Sequence, residues 1–173
     1  MPATLMPVEL YLRLSDEFEP DADFVDGEIE LRPMGEFDHT SWQTAIQFWF
    51  MKHATDWNVR ARCELRMQVS LSRYRIPDVV VWDRSLPIQQ ILRDTPIAVF
   101  EVLSPEDRMP RMLVKLGDYE RMGIRTIRVI QPKTGQILCY EAGKLVPVDG
   151  VVEVLPGSPC SIDWDEVKKM LDL

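Results

Sequence analysis

Residues 75–82, RIPDVVVW, join a carboxylate to a strand that should be buried. The apolar run from Val79 to Trp82 is typical of a strand that is covered on both faces. Pro77 and Asp78 stand directly before this run, and a carboxylate that is desolvated there without a partner costs several kcal/mol. We therefore expect a cation, a metal ion or a ring of hydrogen-bond donors beside Asp78.

The same conflict recurs in residues 97–105, IAVFEVLSP, where Glu101 interrupts another apolar run. If the two strands are neighbours in one sheet, Asp78 and Glu101 can converge at one edge of it. Two carboxylates within a few ångströms cannot both stay ionised at low cost, and a divalent cation resolves that conflict. Hard oxygen ligands of this kind suit Mg²⁺ or Mn²⁺, with water or a substrate phosphate in the remaining positions.

The third candidate for chemistry is Lys115, on a helix predicted over residues 108–123, RMPRMLVKLGDYERMG. It falls at the margin of the apolar face that carries Met112, Leu116 and Tyr119. A lysine there can bury its stem and still deliver its ammonium group to a cleft. That ammonium can orient an attacking water or stabilise a pentacoordinate oxyanion, and Tyr119 shares the same side of the helix.

A purely structural interpretation of these residues stands beside the chemical one. Asp78 can cap a turn after Pro77, and Glu101 can pair with Lys115 as a structural ion pair. A charged residue in an apolar strand is more often a paired structural residue than a catalyst. The spacing of the three residues does not choose between the two interpretations.

Composition narrows the classes of function. The chain has 173 residues, enough for one domain with a hydrophobic core and too few for two. A net charge of −8 argues against a general nucleic-acid-binding protein, but it allows a local basic patch or a cluster of metal-binding carboxylates. The three cysteines lack the spacing of a zinc site, and no stretch reaches the roughly 20 apolar residues of a membrane helix. A cytoplasmic protein without membrane contact is expected.

The predicted order of elements indicates an α/β protein. A short helix is followed by a hairpin that turns at Asp26-Gly27, and by a long helix over about residues 38–55. Three strands come next, the first of them predicted as one period-two strand over residues 58–71. A helix, a strand, a hairpin that turns at Ala142-Gly143 and a closing helix complete the chain. A sheet that mixes antiparallel neighbours with a helical crossover, and has helices on both faces, fits this order.

Five segments of the chain resemble, in the same order, the Uma-two family: DFVDGEIELRPM, RYRIPDVVVW, IAVFEVLSPEDR, KLGDYERMGI and RVIQP. This family is a group of bacterial predicted endonucleases of the restriction-endonuclease-like PD-(D/E)XK type. The resemblance extends over about residues 20–165, so we predict one domain, residues 1–173, with its core in that range. It implies a central mixed sheet flanked by helices and Mg²⁺-dependent hydrolysis of phosphodiester bonds.

The resemblance also implies roles for single residues. Asp78 takes the place of the aspartate in the "PD" motif and Glu101 takes the (D/E) place, so both would hold the metal ion. The lysine of the motif would fall at Leu103 in this chain. Lys115 on the following helix is then the candidate, as in family members whose lysine has migrated.

Three further residues are secondary candidates: Glu28, His39 and Tyr119. Glu28 belongs to a "DGE" pattern that the family shares, although a hairpin carboxylate that simply faces solvent is the alternative. His39 matches a recurrent histidine at the start of the long helix. The helix dipole disfavours its imidazolium form there, which suits hydrogen bonding near a substrate, and a plain capping histidine is the alternative.

Two functions follow from the sequence. The first is a metal-dependent endonuclease with DNA as the expected substrate, bound by a basic groove that is built locally or across a homodimer. The residues proposed for a local groove are Arg73, Arg75, Arg108 and Arg111. The second is a non-catalytic interaction protein that keeps the nuclease fold, with Asp78, Glu101 and Lys115 as a buried ion network. Such a network is costly and weakly stabilising, so the first function is favoured.

Overall fold

The computed structural model describes residues 4–173, so the first three residues of the predicted domain lie outside the described range. Its helices are α1 (Val8–Leu14), α2 (Phe37–Lys52), α3 (Ala54–Trp57), α4 (Met109–Arg121) and α5 (Trp164–Lys169). Its strands are β1 (Ala22–Val25), β2 (Glu28–Leu31), β3 (Val59–Cys63), β4 (Met67–Ser70), β5 (Arg73–Arg75), β6 (Val79–Asp83), β7 (Ala98–Val102), β8 (Thr126–Gln131), β9 (Gln136–Glu141), β10 (Lys144–Pro147), β11 (Val152–Val154) and β12 (Ser161–Asp163).

A six-stranded sheet in the order β10-β9-β8-β7-β6-β3 forms the centre of the fold. Strands β7 and β8 are parallel and are connected through α4, whereas every other neighbouring pair in this sheet is antiparallel. Parallel neighbours need such a crossover, because a tight turn cannot join them. The predicted α/β class, with a mixed sheet and a helical crossover, is confirmed.

Both faces of the central sheet are covered by helices. Successive side chains of a strand point to opposite faces, so Val79 and Val81 pack on the side of α2 and α5, and Val80 packs on the side of α4. All three valines are fully buried. This double cover explains why β6 is apolar at consecutive positions instead of alternating.

A smaller antiparallel sheet, in the order β2-β1-β5-β4, lies beside the central one. The hairpin of β1 and β2 turns at Asp26 and Gly27, whose φ angles are +50° and +95°. Positive φ at both central residues suits the right-handed twist of a hairpin, and the Asp-Gly pair tolerates it. Tyr11 of α1 packs against Phe24 and Tyr74 of this sheet and closes its apolar face.

The prediction of one strand over residues 58–71 is wrong, because the segment contributes to both sheets. Its first half forms β3 in the central sheet and its second half forms β4 in the smaller sheet. The break falls at Glu64, whose φ is +56°. Apolar and polar residues keep alternating across the break, since each half has one covered face. The alternation therefore could not reveal the change of sheet.

The segment of residues 75–82 crosses between the sheets in the same way. Arg75 ends β5, and β6 begins only at Val79. Pro77 lies in between and has no backbone N–H, so it cannot continue a hydrogen-bonded ladder. Asp78 is thereby placed at the junction of the two sheets, immediately before a strand whose first four residues are buried.

The helices agree with the sequence except at their ends. The long helix predicted over about residues 38–55 is α2, which stops at Lys52 and is followed by the short α3. The short strands β11 and β12 were not predicted. Within residues 4–173, none of the helices combines the length and the apolar character needed to span a membrane.

Candidate active site

Asp78, which directly precedes β6, lies opposite Glu101 of β7. The antiparallel register pairs Val79 with Phe100 and Val80 with Val99, and its extension by one residue pairs Asp78 with Glu101. Both residues are buried, with 3% and 2% of their surfaces exposed. Like charges that face each other across two strands are destabilising. The structure thus creates the electrostatic conflict that the sequence led us to expect.

Donors from the protein surround the Asp78 carboxylate. Arg32 donates from Nη2 to Oδ1 at 2.8 Å, and the backbone N–H of Val102 donates to Oδ2 at 2.7 Å. His39 Nε2 lies 3.3 Å from Oδ2. Burial acts to raise the pKa of Asp78, but the contact with His39 and the charge of Arg32 outweigh it and hold the pKa below its usual range. Asp78 is therefore the ionised member of the pair.

The pKa of Glu101 is shifted in the opposite direction to that of Asp78. The hydroxyl of Tyr119 donates to Oε1 at 2.6 Å, and Lys115 Nζ lies 3.0 Å from the same oxygen. Burial, helped by the charge of Asp78, raises the pKa of Glu101 to about 7, although Lys115 and Tyr119 act against the shift. Two acids whose pKa values are pushed apart are typical of functional sites.

The ammonium group of Lys115 is held by three oxygen-bearing groups. It donates to the backbone carbonyl of Ile76 at 2.9 Å and lies 3.0 Å from Glu101 Oε1 and 3.7 Å from Asp23 Oδ2. Burial acts to lower the pKa of Lys115, but Asp23 and Glu101 outweigh this effect and raise it. Lys115 therefore stays protonated, and its ammonium is fixed beside the acid pair.

Two residues of this constellation, Arg32 and Asp23, were not singled out from the sequence. Arg32 follows the end of β2, where an arginine before a proline looks like an ordinary surface residue. Asp23 lies in β1 and is 4% exposed. It accepts a hydrogen bond from the backbone N–H of Ile76 at 2.9 Å, so it helps to fix the segment that carries Asp78. A carboxylate inside a short apolar strand was the one available signal.

The expected basic groove is wrong in two of its four arginines. Arg75 is 1% exposed and donates to Asp118 at 2.7 Å and to Glu30 at 2.8 Å. Arg73 is held by Asp118 and by Asp26. Both guanidinium groups neutralise carboxylates within the protein, so they are not free to bind a substrate.

A cavity of about 400 Å³ opens over the acid pair. Its lining includes Asp78, Glu101, Lys115, Arg32, His39, Arg108 and Arg111. The volume lies in the range of ligand-binding pockets. Of the secondary candidates, His39 lines the cavity. Tyr119 does not line it but donates a hydrogen bond to Glu101, which does. Glu28 is exposed on the hairpin and does not line the cavity.

The donor set fits Mg²⁺ held by two carboxylates. Within residues 4–173, no group of three or more histidine, cysteine, aspartate or glutamate side chains is placed to hold a metal ion. Each carboxylate oxygen can accept about two hydrogen bonds or metal bonds. Asp78 Oδ1 has one donor, from Arg32, and no hydrogen bond from the described residues reaches Glu101 Oε2. One oxygen of each carboxylate thus keeps an acceptor position, and Mg²⁺ often takes only one or two carboxylates.

Residues 8–164 match the Uma2 family, which carries the description "Putative restriction endonuclease". The chain belongs to the Uma2 family. This finding confirms the family to which the five segments pointed. The Uma2 match covers the helices and strands that build the cavity, from α1 to the start of α5.

The fold of this Uma2 chain is similar to that of a solved structure. The crystal structure of "a putative nuclease belonging to DUF820" from Anabaena variabilis ATCC 29413 aligns with a TM-score of 0.78 and 19% sequence identity. The alignment covers 95% of this chain and 99% of that chain. At this identity the likeness shows the fold alone. No curated protein matches the sequence.

Proposed function

We propose that this Uma2 protein is a divalent-cation-dependent nuclease that hydrolyses phosphodiester bonds, with DNA as the expected substrate. The observation that carries the proposal is the meeting of Asp78, Glu101 and Lys115 in one cavity, with Lys115 Nζ 3.0 Å from Glu101 Oε1. Three groups that could serve phosphodiester hydrolysis thus come from two strands and a helix to one place. The family description and the nuclease fold agree with this class of reaction.

Each group has a separate part in the proposed reaction. Asp78 and Glu101 would hold Mg²⁺ or Mn²⁺, and the bound ion would polarise the phosphate and lower the pKa of a bound water. Lys115 orients the attacking water or stabilises the negative charge that develops on the phosphoryl oxygens. The Tyr119 hydroxyl and the Val102 backbone N–H keep the two carboxylates in position.

Arg108 and Arg111 add two basic side chains to the lining of the cavity. Both are exposed, and both line the cavity beside the acid pair. Arg111 Nη2 lies 3.6 Å from Glu30 Oε2, whereas none of the hydrogen bonds or ion pairs of residues 4–173 involves the side chain of Arg108. On a chain with a net charge of −8, these two arginines are where we expect the backbone of a nucleic acid to approach.

One observation favours the alternative function, a non-catalytic interaction protein. The bond between Arg32 and Asp78 already supplies a counter-ion to the first carboxylate, and the contact between Lys115 and Glu101 supplies one to the second. A network satisfied in this way can persist without a metal ion. In that case, removal of either carboxylate destabilises the protein strongly, because it leaves a buried charge without a partner.

Metal binding separates the two functions. Thermal unfolding of the wild type with and without Mn²⁺ should show an increase in Tm, since a ligand that binds only the folded state stabilises it. Asp78→Asn and Glu101→Gln should remove the increase, whereas Glu28→Gln, at an exposed position outside the cavity, should keep it. An unchanged Tm of the wild type at millimolar Mn²⁺ would favour the structural network.

Catalysis is tested next with plasmid and single-stranded DNA in Mn²⁺. Lys115→Met should lower the cleavage rate by about 10²-fold or more, the range found when a single charge-stabilising donor is removed. Lys144→Met, at an exposed position on β10, serves as the control. Cleavage by Lys115→Met at the wild-type rate would remove Lys115 from the proposed reaction.

A further inference from the structure

Arg32 is bound to one of the two proposed metal ligands. Its backbone N–H donates to Asp21 O at 2.9 Å, which fixes the residue after the end of β2. Its side chain is 12% exposed, and its Nη2 lies 2.8 Å from Asp78 Oδ1. Its Nη1 lies 3.5 Å from Glu64 Oε1, a carboxylate with 47% of its side chain exposed. The guanidinium therefore lies between a buried acid and an exposed one.

The oxygen that Arg32 occupies is the one that a metal ion would need. Asp78 Oδ2 already has the Val102 N–H and His39 close to it, so Oδ1 is the oxygen with an acceptor position left. A cation on Oδ1 would stand next to the positive charge of Arg32, and the two would repel each other. Arg32 in its present place opposes metal binding at Asp78.

The bonding of Arg32 also differs from that of the other buried arginines. Arg128 is equally buried, at 10% exposed, and donates twice to Glu153 and once to the carbonyl of Ile127. Arg75 donates to three carboxylates: Asp118, Asp23 and Glu30. Of the five N–H donors of Arg32, one has a hydrogen-bond acceptor among residues 4–173. Arg32 lines the cavity with most of its donors uncommitted.

We propose that Arg32 exchanges partners during the reaction cycle. In the metal-free chain it is the counter-ion of Asp78, and it gives up Asp78 Oδ1 when a divalent cation binds there. The released guanidinium then binds a phosphate oxygen of the substrate, which it can reach because it already lies in the cavity. Guanidinium groups suit this second partner, since their fork of donors matches phosphate geometry. The inference rests on the proposed nuclease function.

The exchange predicts that replacing Arg32 changes the affinities for the metal ion and for the nucleic acid in opposite directions. Arg32→Gln should bind Mn²⁺ about tenfold more tightly than the wild type, because a nearby like charge is removed from the site. The same variant should bind a short single-stranded oligonucleotide about tenfold more weakly, because a donor to the phosphate is lost. A residue with only a structural role would not strengthen one ligand and weaken the other.

The Mn²⁺ measurement uses isothermal titration calorimetry on the metal-free full chain, and the oligonucleotide measurement uses fluorescence anisotropy in Ca²⁺. Arg32→Lys keeps the charge and should bind Mn²⁺ as the wild type does. Arg128→Gln is the matched control: it removes an equally buried, carboxylate-paired arginine away from the cavity, and it should leave both affinities unchanged.

Each outcome decides the matter. Equal Mn²⁺ affinities of the wild type and Arg32→Gln, or equal oligonucleotide affinities, would overturn the exchange and leave the proposed function intact. Absence of Mn²⁺ binding in both proteins would overturn the proposed function, and the inference with it. If Arg32→Gln does not fold, the Nε–H resonance of Arg32 is followed by NMR in the wild type, with Arg32→Lys for its assignment. A resonance that does not move on addition of Mg²⁺ would overturn the exchange.

Discussion

Glu101→Gln, in protein kept free of divalent cations, should make the chain more stable at alkaline pH. The amide has the shape of the carboxyl group and is neutral, as protonated Glu101 is. Burial, helped by the charge of Asp78, raises the pKa of Glu101 from 4.5 to about 7 in the folded chain. The folded protein therefore holds this proton more tightly than the unfolded protein does.

The sign and the size of the effect follow from that shift. A group with a raised pKa contributes stability that is complete below pH 4.5 and is lost as the pH rises through about 7. The interval between the two pKa values corresponds to roughly 3 kcal/mol, at about 1.4 kcal/mol for each unit. Glu101→Gln keeps this contribution at every pH. We expect its free energy of unfolding to match that of the wild type near pH 4.5 and to exceed it by roughly 3 kcal/mol at pH 8.

Urea denaturation followed by tryptophan fluorescence measures both values. Trp42 and Trp164 are buried in the core, so their emission changes on unfolding. The comparison uses the difference in the free energy of unfolding between variant and wild type at each pH. This difference cancels most of the contribution from the titration of His39 and other groups, because both proteins contain them. Glu28→Gln makes the same change of charge at an exposed position and should show no pH-dependent difference.

A result of the other sign would refute the reasoning. If Glu101→Gln is less stable than the wild type by the same amount at both pH values, the ionised carboxylate stabilises the fold through Lys115. Glu101 would then be a structural partner of Lys115. It would not be an acid whose ionised form destabilises the fold and is kept in order to bind a cation. The second function, a buried ion network, would be favoured.

Three further predictions follow from the same geometry. Mn²⁺ should bind more tightly as the pH rises from 6 to 8, because the proton on Glu101 competes with the ion. Calorimetry at the two pH values measures the affinity, and equal affinities would contradict the prediction. Tyr119→Phe removes a hydrogen bond that lowers the pKa of Glu101, so the rise in Mn²⁺ affinity should move to higher pH, and an unshifted profile would count against this role. Arg75→Met should cost roughly 3–5 kcal/mol in urea denaturation, because it removes a buried cation that neutralises the buried carboxylates of Asp118 and Asp23, whereas Arg108→Met at an exposed position should be nearly neutral.

The parts of the site that could be predicted from the sequence are those with a local signal. Asp78 and Glu101 each interrupt an apolar run, and such an interruption is visible within a few residues. Lys115 could be placed because the helical period of α4 shows which face is apolar. These residues also stand in segments that resemble the family, so pattern and resemblance point to the same positions.

The contacts that could not be predicted join residues far apart in the chain. Arg32 and Asp78 are separated by 46 positions, and nothing near Arg32 distinguishes it from a surface arginine. The burial of Arg75 depends on Asp118, 43 positions away on α4. The change of sheet at Glu64 was hidden for a related reason: the alternation of apolar residues records which face is covered, and does not record which strand is the neighbour.

Pro77 limits how far backbone pairing can run, and the carbonyls around it accept hydrogen bonds from other parts of the chain. The carbonyl of Ile76 anchors the ammonium of Lys115, and the carbonyls of Pro77 and Asp78 receive the backbone N–H of Glu64. A residue with an N–H at position 77 could continue the β5 ladder into β6. The carbonyls of residues 76–78 would then accept hydrogen bonds within that ladder. The proline of the "PD" pair thus separates the two sheets, and the carbonyl of Ile76 remains available to Lys115 because the β5 ladder stops at Arg75, three residues before Asp78.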